Sequence, residues 1–257
     1  MKKIVVGLLL VGAVLLAGFQ LNQSISQDKK IYESYEELSS LTIEDQNSEV
    51  YLEAIDGDEP HVSISYMENN KYRYEIEQNG GELVLVKHKN WSAFLTSFLN
   101  NFQLGDNSVY VEISQAALED LNIKTSNSDI SIVNVVSQNA NLETSNSEIT
   151  FSDGKVAESL MATTSNGQIS LYSSRIGSGY LTTSNDEIYL DDLILTESLV
   201  AKTSNGMVDG NLRGKRSDYT VTSDTSNGSN TLGNGGSGGK TIEVYTSNDD
   251  INFEFLG

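Results

Sequence analysis

The chain has 257 residues and a net charge of −20, from 16 Lys and Arg against 36 Asp and Glu. So large an acidic excess excludes a nucleic-acid partner, because binding phosphate needs cations lining the site. The absence of Cys excludes disulfides, thiolate catalysis, zinc knuckles and iron–sulfur clusters together. In chain order, Lys2 and Lys3 come first and precede an uncharged, mostly apolar run from Ile4 to Phe19. As a helix at ~1.5 Å per residue it spans roughly 24 Å. Leu21 and local thinning close the gap to a hydrocarbon core of ~30 Å. Residues 1–21 are read as a signal anchor forming a transmembrane helix, with the cell membrane as its partner. A cleaved signal peptide is the competing reading, with Leu15 and Ala17 at the −3 and −1 positions. Lys2 and Lys3 hold the N-terminus in the cytoplasm, so the C-terminal domain is expected outside the cell. Residues 22–40 are polar and read as a tether with a short helical piece at Tyr32–Leu38.

Residues 41–124 read as an N-terminal β region. Strands are expected at Leu41–Glu44, Val50–Glu53, His61–Tyr66, Tyr72–Glu77, Leu83–Lys87 and Val109–Ile113, with a turn at Asn79-Gly80-Gly81. One insertion differs. Trp91, Phe94, Leu95, Phe98, Leu99 and Phe102 recur at helical spacing and predict an amphipathic helix. Its apolar face either plugs the open end of the β core or contacts a membrane or partner. The neighbouring Lys87, His88 and Lys89 suit a bilayer surface.

Residues 125–257 repeat. Thr-Ser-Asn begins at Thr125, Thr144, Thr164, Thr183, Thr203, Thr225 and Thr246, at spacings of 19, 20, 19, 20, 22 and 21 residues. Apolar residues alternate before each tripeptide (Leu121 and Ile123, Leu160 and Ala162) and after it (Ile130 and Ile132, Ile169 and Leu171). Period two with apolar members predicts half-buried strands. Asn followed by Gly, Ser or Asp suits a turn, since Asn and Gly tolerate positive φ. Each repeat is therefore strand, turn, strand and connection. A β-solenoid with ~20-residue rungs and an antiparallel meander both fit. Repetition favours the solenoid, because corners stacked ~4.8 Å apart let each Asn amide bond to the next. The predicted ladder is Asn127, Asn146, Asn166, Asn185, Asn205, Asn227 and Asn248. Seven rungs make a rod of roughly 34 Å. In the sixth repeat Asn230 replaces the usual Ile and Gly233–Gly239 follows, so that rung is expected to loop out or fray.

The serial Thr-Ser-Asn-(Gly/Ser/Asp)-x-Ile repeats resemble a bacterial family of β-strand-repeat proteins labelled "putative adhesin". Val109-Tyr110-Val111-Glu112-Ile113, leading into Leu121-Asn122-Ile123-Lys124, is similar to that family as well, and the resemblance covers roughly residues 40–255. With a single N-terminal span, the chain resembles Gram-positive members that accompany Lia-type cell-envelope stress systems. The resemblance implies a β-helical ectodomain, a role in envelope stress or surface interaction, and no catalytic residues.

Gly233–Gly238 matches G-x-G-x-x-G, but a strand pattern follows where a phosphate site needs a helix. Residues 235–242 are similar to a calcium-binding nonapeptide, with Lys240 where the ligand Asp belongs. The column Asp129, Glu148, Gln168, Glu187, Met207, Ser229, Asp250 would stack, with Asp186, Glu187, Asp191 and Asp192 as the local calcium candidates. His61 and His88 are isolated. No cofactor and no enzyme activity is expected. Three functions remain: a non-catalytic envelope protein contacting an envelope protein or cell-surface ligand, an adhesin for host or matrix glycans or proteins (Tyr172, Tyr180 and Tyr189 offering ring faces), and a cell-wall polysaccharide-active enzyme.

Overall fold

The computed structural model describes residues 28–69, 71–89, 108–114 and 117–257. The expected span over residues 1–21 and the expected helix over Trp91–Phe102 lie outside the described residues. In chain order the strands are β1 (Asp28–Ser34), β2 (Ser40–Glu44), β3 (Glu49–Ala54), β4 (His61–Glu68), β5 (Tyr72–Asn79), β6 (Glu82–Lys89) and β7 (Ser108–Ser114). The repeats add β8 (Leu118–Lys124), β9 (Ile130–Val133), β10 (Val136–Glu143), β11 (Ile149–Ser152), β12 (Lys155–Thr163), β13 (Ile169–Tyr172) and β14 (Arg175–Thr182). The chain ends in β15 (Ile188–Lys202), β16 (Val208–Arg213), β17 (Tyr219–Thr225), β18 (Lys240–Thr246) and β19 (Ile251–Leu256). A single 3₁₀ turn, Arg216–Asp218, is the only helical element among the described residues.

The fold is an all-β solenoid of two facing sheets. Strands that lead into a Thr-Ser-Asn corner form one together with β5, β6 and β2, in the order β5, β6, β2, β8, β10, β12, β14, the second half of β15, β18, β17. Strands that trail from it form the other together with β1, β4, β7 and β3, in the order β1, β4, β7, β3, β9, β11, β13, the first half of β15, β16, β19. Pairing is parallel except at the N-terminal end, where β1–β4, β4–β7 and β5–β6 are antiparallel. Inward residues stack in columns. Ile130, Ile149, Ile169, Ile188, Val208 and Ile251 form one, all fully buried. β-branched side chains suit such columns because their stiff χ1 packs against the same residue one rung away.

A second corner closes each rung. Asn134, Asp153, Ser173 and Asp192 sit there at φ of 60°, 55°, 45° and 56°. Short polar residues tolerate this left-handed bend at least cost among non-glycines. At Asp192 the bend lies within β15, which is why one strand serves both sheets.

The alternation of 19- and 20-residue spacings has a structural cause. Just after the second corner each leading strand skips register. β10 leaves one residue unpaired (Gln138), β12 two (Ala157 and Glu158), β14 one (Gly177) and β15 two (Thr196 and Glu197). The extra residue of every second repeat is absorbed in that bulge, so the corners stay aligned. Gly177 fits because a Cβ there would stand 2.4 Å from the Ala157 carbonyl oxygen.

Three features differ from the sequence expectations. Asp28–Ser34 is a strand on β4 rather than a tether, and the helical piece at Tyr32–Leu38 is absent. The sixth repeat is looped out only in its trailing half: β17 pairs with β18 over its whole length, from Tyr219↔Lys240 to Thr225↔Thr246, whereas residues 226–239 form no strand and Asn230 makes only an isolated bridge to Ile251. The last two rungs also stack out of chain order. β18 pairs with β15 on one side and β17 on the other, so rung seven lies between rungs five and six. The Gly-rich stretch then folds over the exposed edge of β17, with Val221 and Gly235 exchanging backbone hydrogen bonds of 3.0 and 2.9 Å. Covering an edge in this way blocks pairing with another chain.

Candidate functional site

The corner column is the most regular surface of the molecule. Asn127 donates from Nδ2 to Oδ1 of Asn47, Asn146 to Asn127, Asn166 to Asn146, Asn185 to Asn166, Asn205 to Asn185, Asn248 to Asn205 and Asn227 to Asn248, at 2.7–2.9 Å. Each Nδ2 also reaches the main-chain carbonyl of the neighbouring corner, as in Asn146 to Ser126 at 3.2 Å. All seven predicted Asn thus stand in one exposed line, with Asn47 as an eighth member. Beneath it, Thr144, Thr164, Thr183, Thr203, Thr246 and Thr225 donate from Oγ1 to the residue after Asn one rung away, at 2.7–3.2 Å.

Spatial order also explains the residue after Asn. Along the stack it reads Ser128, Ser147, Gly167, Asp186, Gly206, Asp249, Gly228. Each Gly packs on a neighbour's carbonyl, a Cβ at Gly167, Gly206 or Gly228 standing 1.8, 1.9 or 2.0 Å from the oxygen of Ser147, Asp186 or Asp249. Gly therefore alternates with larger residues in space. In sequence the alternation breaks at Gly206 and Gly228, which are consecutive corners, and that break was the legible sign of the reordering.

Asp45 heads the column where later corners carry Thr. Its Oδ1 accepts the N–H groups of Gln46, Asn47 and Ser48, the last two at 2.8 Å. Lys87 Nζ stands 3.3 Å from the same oxygen, with side-chain exposures of 5% for Lys87 and 0% for Asp45. The Tyr74 hydroxyl donates to Oδ2. The Lys87 ammonium also lies 5.2 and 5.3 Å from the ring centres of Tyr72 and Tyr74. Burial pushes the Tyr74 hydroxyl well up, and the Asp45 charge pushes it further. Burial pushes Lys87 down while Asp45 opposes that shift. Periodicity gave no sign of this cluster, because its partners are brought together only by β2–β6 and β5–β6 pairing.

The outer faces carry rows one rung apart. On the leading sheet Met161, Tyr180 and Val200 are register neighbours, and Met161 and Tyr180 are 47% and 43% exposed. On the trailing sheet Tyr172 and Tyr189 have ring centres 5.7 Å apart. Their planes are tilted by 54°, so they do not form one flat platform for a sugar ring. Beside them is an open depression of about 470 Å³ bordered by Tyr189, Asp209, Asn211, Asn252 and Glu254. Burial, followed by the charge of Glu254, raises the Asp209 carboxyl; burial, followed by Asp209, Asp186 and Asp249, raises Glu187.

The calcium candidates are engaged locally. Asp191 accepts a hydrogen bond from Asn211 at 2.9 Å, and Arg213 forms a two-point ion pair with Asp192 that lowers its carboxyl. Asp186 accepts the N–H of Glu187 at 2.8 Å. Among the described residues no three His, Cys, Asp or Glu are grouped to hold a metal ion. His88 faces Glu75 at 3.1 Å and His61 stacks on Tyr35 at 4.8 Å. No helix among the described residues is long and apolar enough to cross a membrane.

The family described as Toastrack DUF4097 matches residues 38–224. No curated protein matches the chain. A solved structure named a "putative cell adhesion protein", from Clostridium sporogenes, is 10% identical, covers 90% of this chain and all of its own, and has a TM-score of 0.32. A "putative adhesin" from Parabacteroides distasonis is 10% identical over 89% of this chain and 97% of its own, with a TM-score of 0.37. A "putative lipid binding protein" from the same organism is 15% identical over 88% and 97%, with a TM-score of 0.28.

Proposed function

As the chain belongs to the Toastrack DUF4097 family, we propose that it is a non-catalytic rod, held at the cell membrane by the apolar run Ile4–Phe19 and displayed outside the cell. It works by contact, engaging an envelope protein or a cell-surface ligand through a repeat face, in the envelope stress response or in surface interaction. The observation that supports this most is the row Met161, Tyr180 and Val200 on the outer leading sheet, with Asn141 and Glu243 continuing it at either end. An apolar row left in solvent on a strongly acidic rod is the kind of patch that marks an interaction site.

The test has two readouts on intact cells. Externally added protease should remove a C-terminal tag, and purified residues 28–257 should bind to cells stripped of the protein. Met161→Ser with Tyr180→Ser should abolish that binding while leaving the melting temperature within a few degrees of the parent. A tag protected until the cells are lysed would refute display. Undiminished binding by the double variant would refute this face.

A further inference from the structure

Rung seven (residues 240–257) is last in the chain but sits inside the stack. β18 and β19 lie on β15 and β16, and β18 also lies on β17. Asn248 donates to Asn205 while Asn227 donates to Asn248, so the column passes through rung seven before ending at rung six. Without rung seven, a slot opens between rungs five and six. Its walls are the edges of β15 and β16 on one side and of β17 on the other.

Two observations mark rung seven as a layer inserted between matching edges. First, β17 carries the same pattern as β18. Val221 and Ser223 are register neighbours of Ile242 and Val244, are buried like them, and run into the same Thr-Ser-Asn corner. β17 therefore carries the same inward pattern that β15 accepts from β18. Second, the family match ends at residue 224, so the whole of rung seven lies beyond the matched range although it stands between two rungs within or overlapping it. The linker between rungs six and seven suits release. Residues 232–239 read Leu-Gly-Asn-Gly-Gly-Ser-Gly-Gly, with Gly233, Gly235 and Gly236 at φ of 64°, 110° and 102°. Extended, such a linker reaches roughly 26–29 Å, several rung spacings.

We propose that the slot between rungs five and six is a strand-binding site for a second copy of this chain. Residues 240–257 of one molecule enter the slot of another in the parallel register seen within one molecule, with Leu199 beside Ile242 and Asn205 beneath Asn248. The vacated slot receives the second molecule's own segment. In the reciprocal exchange the hydrogen bonds and core contacts are kept, and because β17 pairs only with β18 among the described strands, the barrier is the opening of rungs six and seven rather than of the whole stack.

The chain has no Cys, which makes a clean test available. Ser198 and Thr241 are paired across β15 and β18, at a strand spacing of ~4.8 Å that a disulfide spans. Full-length Ser198→Cys and full-length Thr241→Cys are mixed, warmed to just below the unfolding midpoint, cooled and oxidised. Exchange predicts a disulfide between the two different variants at least about tenfold more often than either like-with-like dimer, because docking in register raises the effective concentration of the thiols. A labelled peptide of residues 240–257, added to the unmodified full-length chain under the same cycle, reads the same site without substitution. Saturable capture is expected, and is lost when Thr246, Ser247 and Asn248 of the peptide are Ala. Disulfides in the proportions of random collision together with no capture of the peptide overturn the proposal.

Discussion

At the scale of single residues, the corner asparagine does two jobs, and they are unequal along the stack. Asn185 donates to Asn166 and to the Ser165 carbonyl, and accepts from Asn205. Asn227 ends the column and only donates, to Asn248 and Ser247. Asn185→Ala should cost about 1–2 kcal/mol by chemical denaturation, and Asn227→Ala about half of that. Equal losses would mean that the side-chain ladder contributes nothing beyond each corner's own backbone. The buried pair at the head of the column makes a sharper case. Lys87→Met leaves the Asp45 carboxylate buried without its cation and should cost about 3 kcal/mol or more. Adding Asp45→Thr restores the corner residue used by the later rungs, and should recover most of that loss. A double variant as unstable as Lys87→Met alone would show that Asp45 is held by its N–H donors and needs no cation.

At the scale of the element, the rung is the unit, and its length is corrected by the bulge after the second corner. The correction depends on Gly177, whose backbone runs against the Ala157 and Glu158 carbonyls. Gly177→Ala should destabilise the chain by about 2 kcal/mol, a fall in Tm of roughly 4–8 °C. Gly239→Ala is the control, since nothing stands within 4 Å of a Cβ there. Similar Tm values for the two variants would contradict the role given to the bulge. Strand positions were readable in the sequence, because inward Ile, Leu and Val alternate with polar residues: the strand expected at Leu41–Glu44 spans Ser40–Glu44, and that expected at Val109–Ile113 spans Ser108–Ser114. β1 was not readable. Asp28–Ser34 lies at the sheet edge, with Ile31 47% exposed, so no buried alternation distinguishes it from a polar tether.

At the scale of the whole molecule, the period announced a stacked rod but not its order. Rungs five, six and seven carry the same Thr-Ser-Asn corner, and pairing between them is decided by contacts distant in sequence. The trace left in the chain was indirect: spacings of 22 and 21 residues, and two consecutive glycine corners at Gly206 and Gly228. The candidate contact face was less legible, because the row Met161, Tyr180 and Val200 comes from three separate repeats and exists only once their register is set. Stacked corners in the order five, seven, six are the claim on which the ladder, the covered edge and the exchangeable slot all depend. Pulsed electron resonance between spin labels tests it most directly, with Ser126→Cys paired in turn with Ser247→Cys and Ser226→Cys. The account predicts roughly 24 Å for the first pair and roughly 29 Å for the second, five and six rung spacings. A shorter distance to position 226 than to position 247 would contradict it.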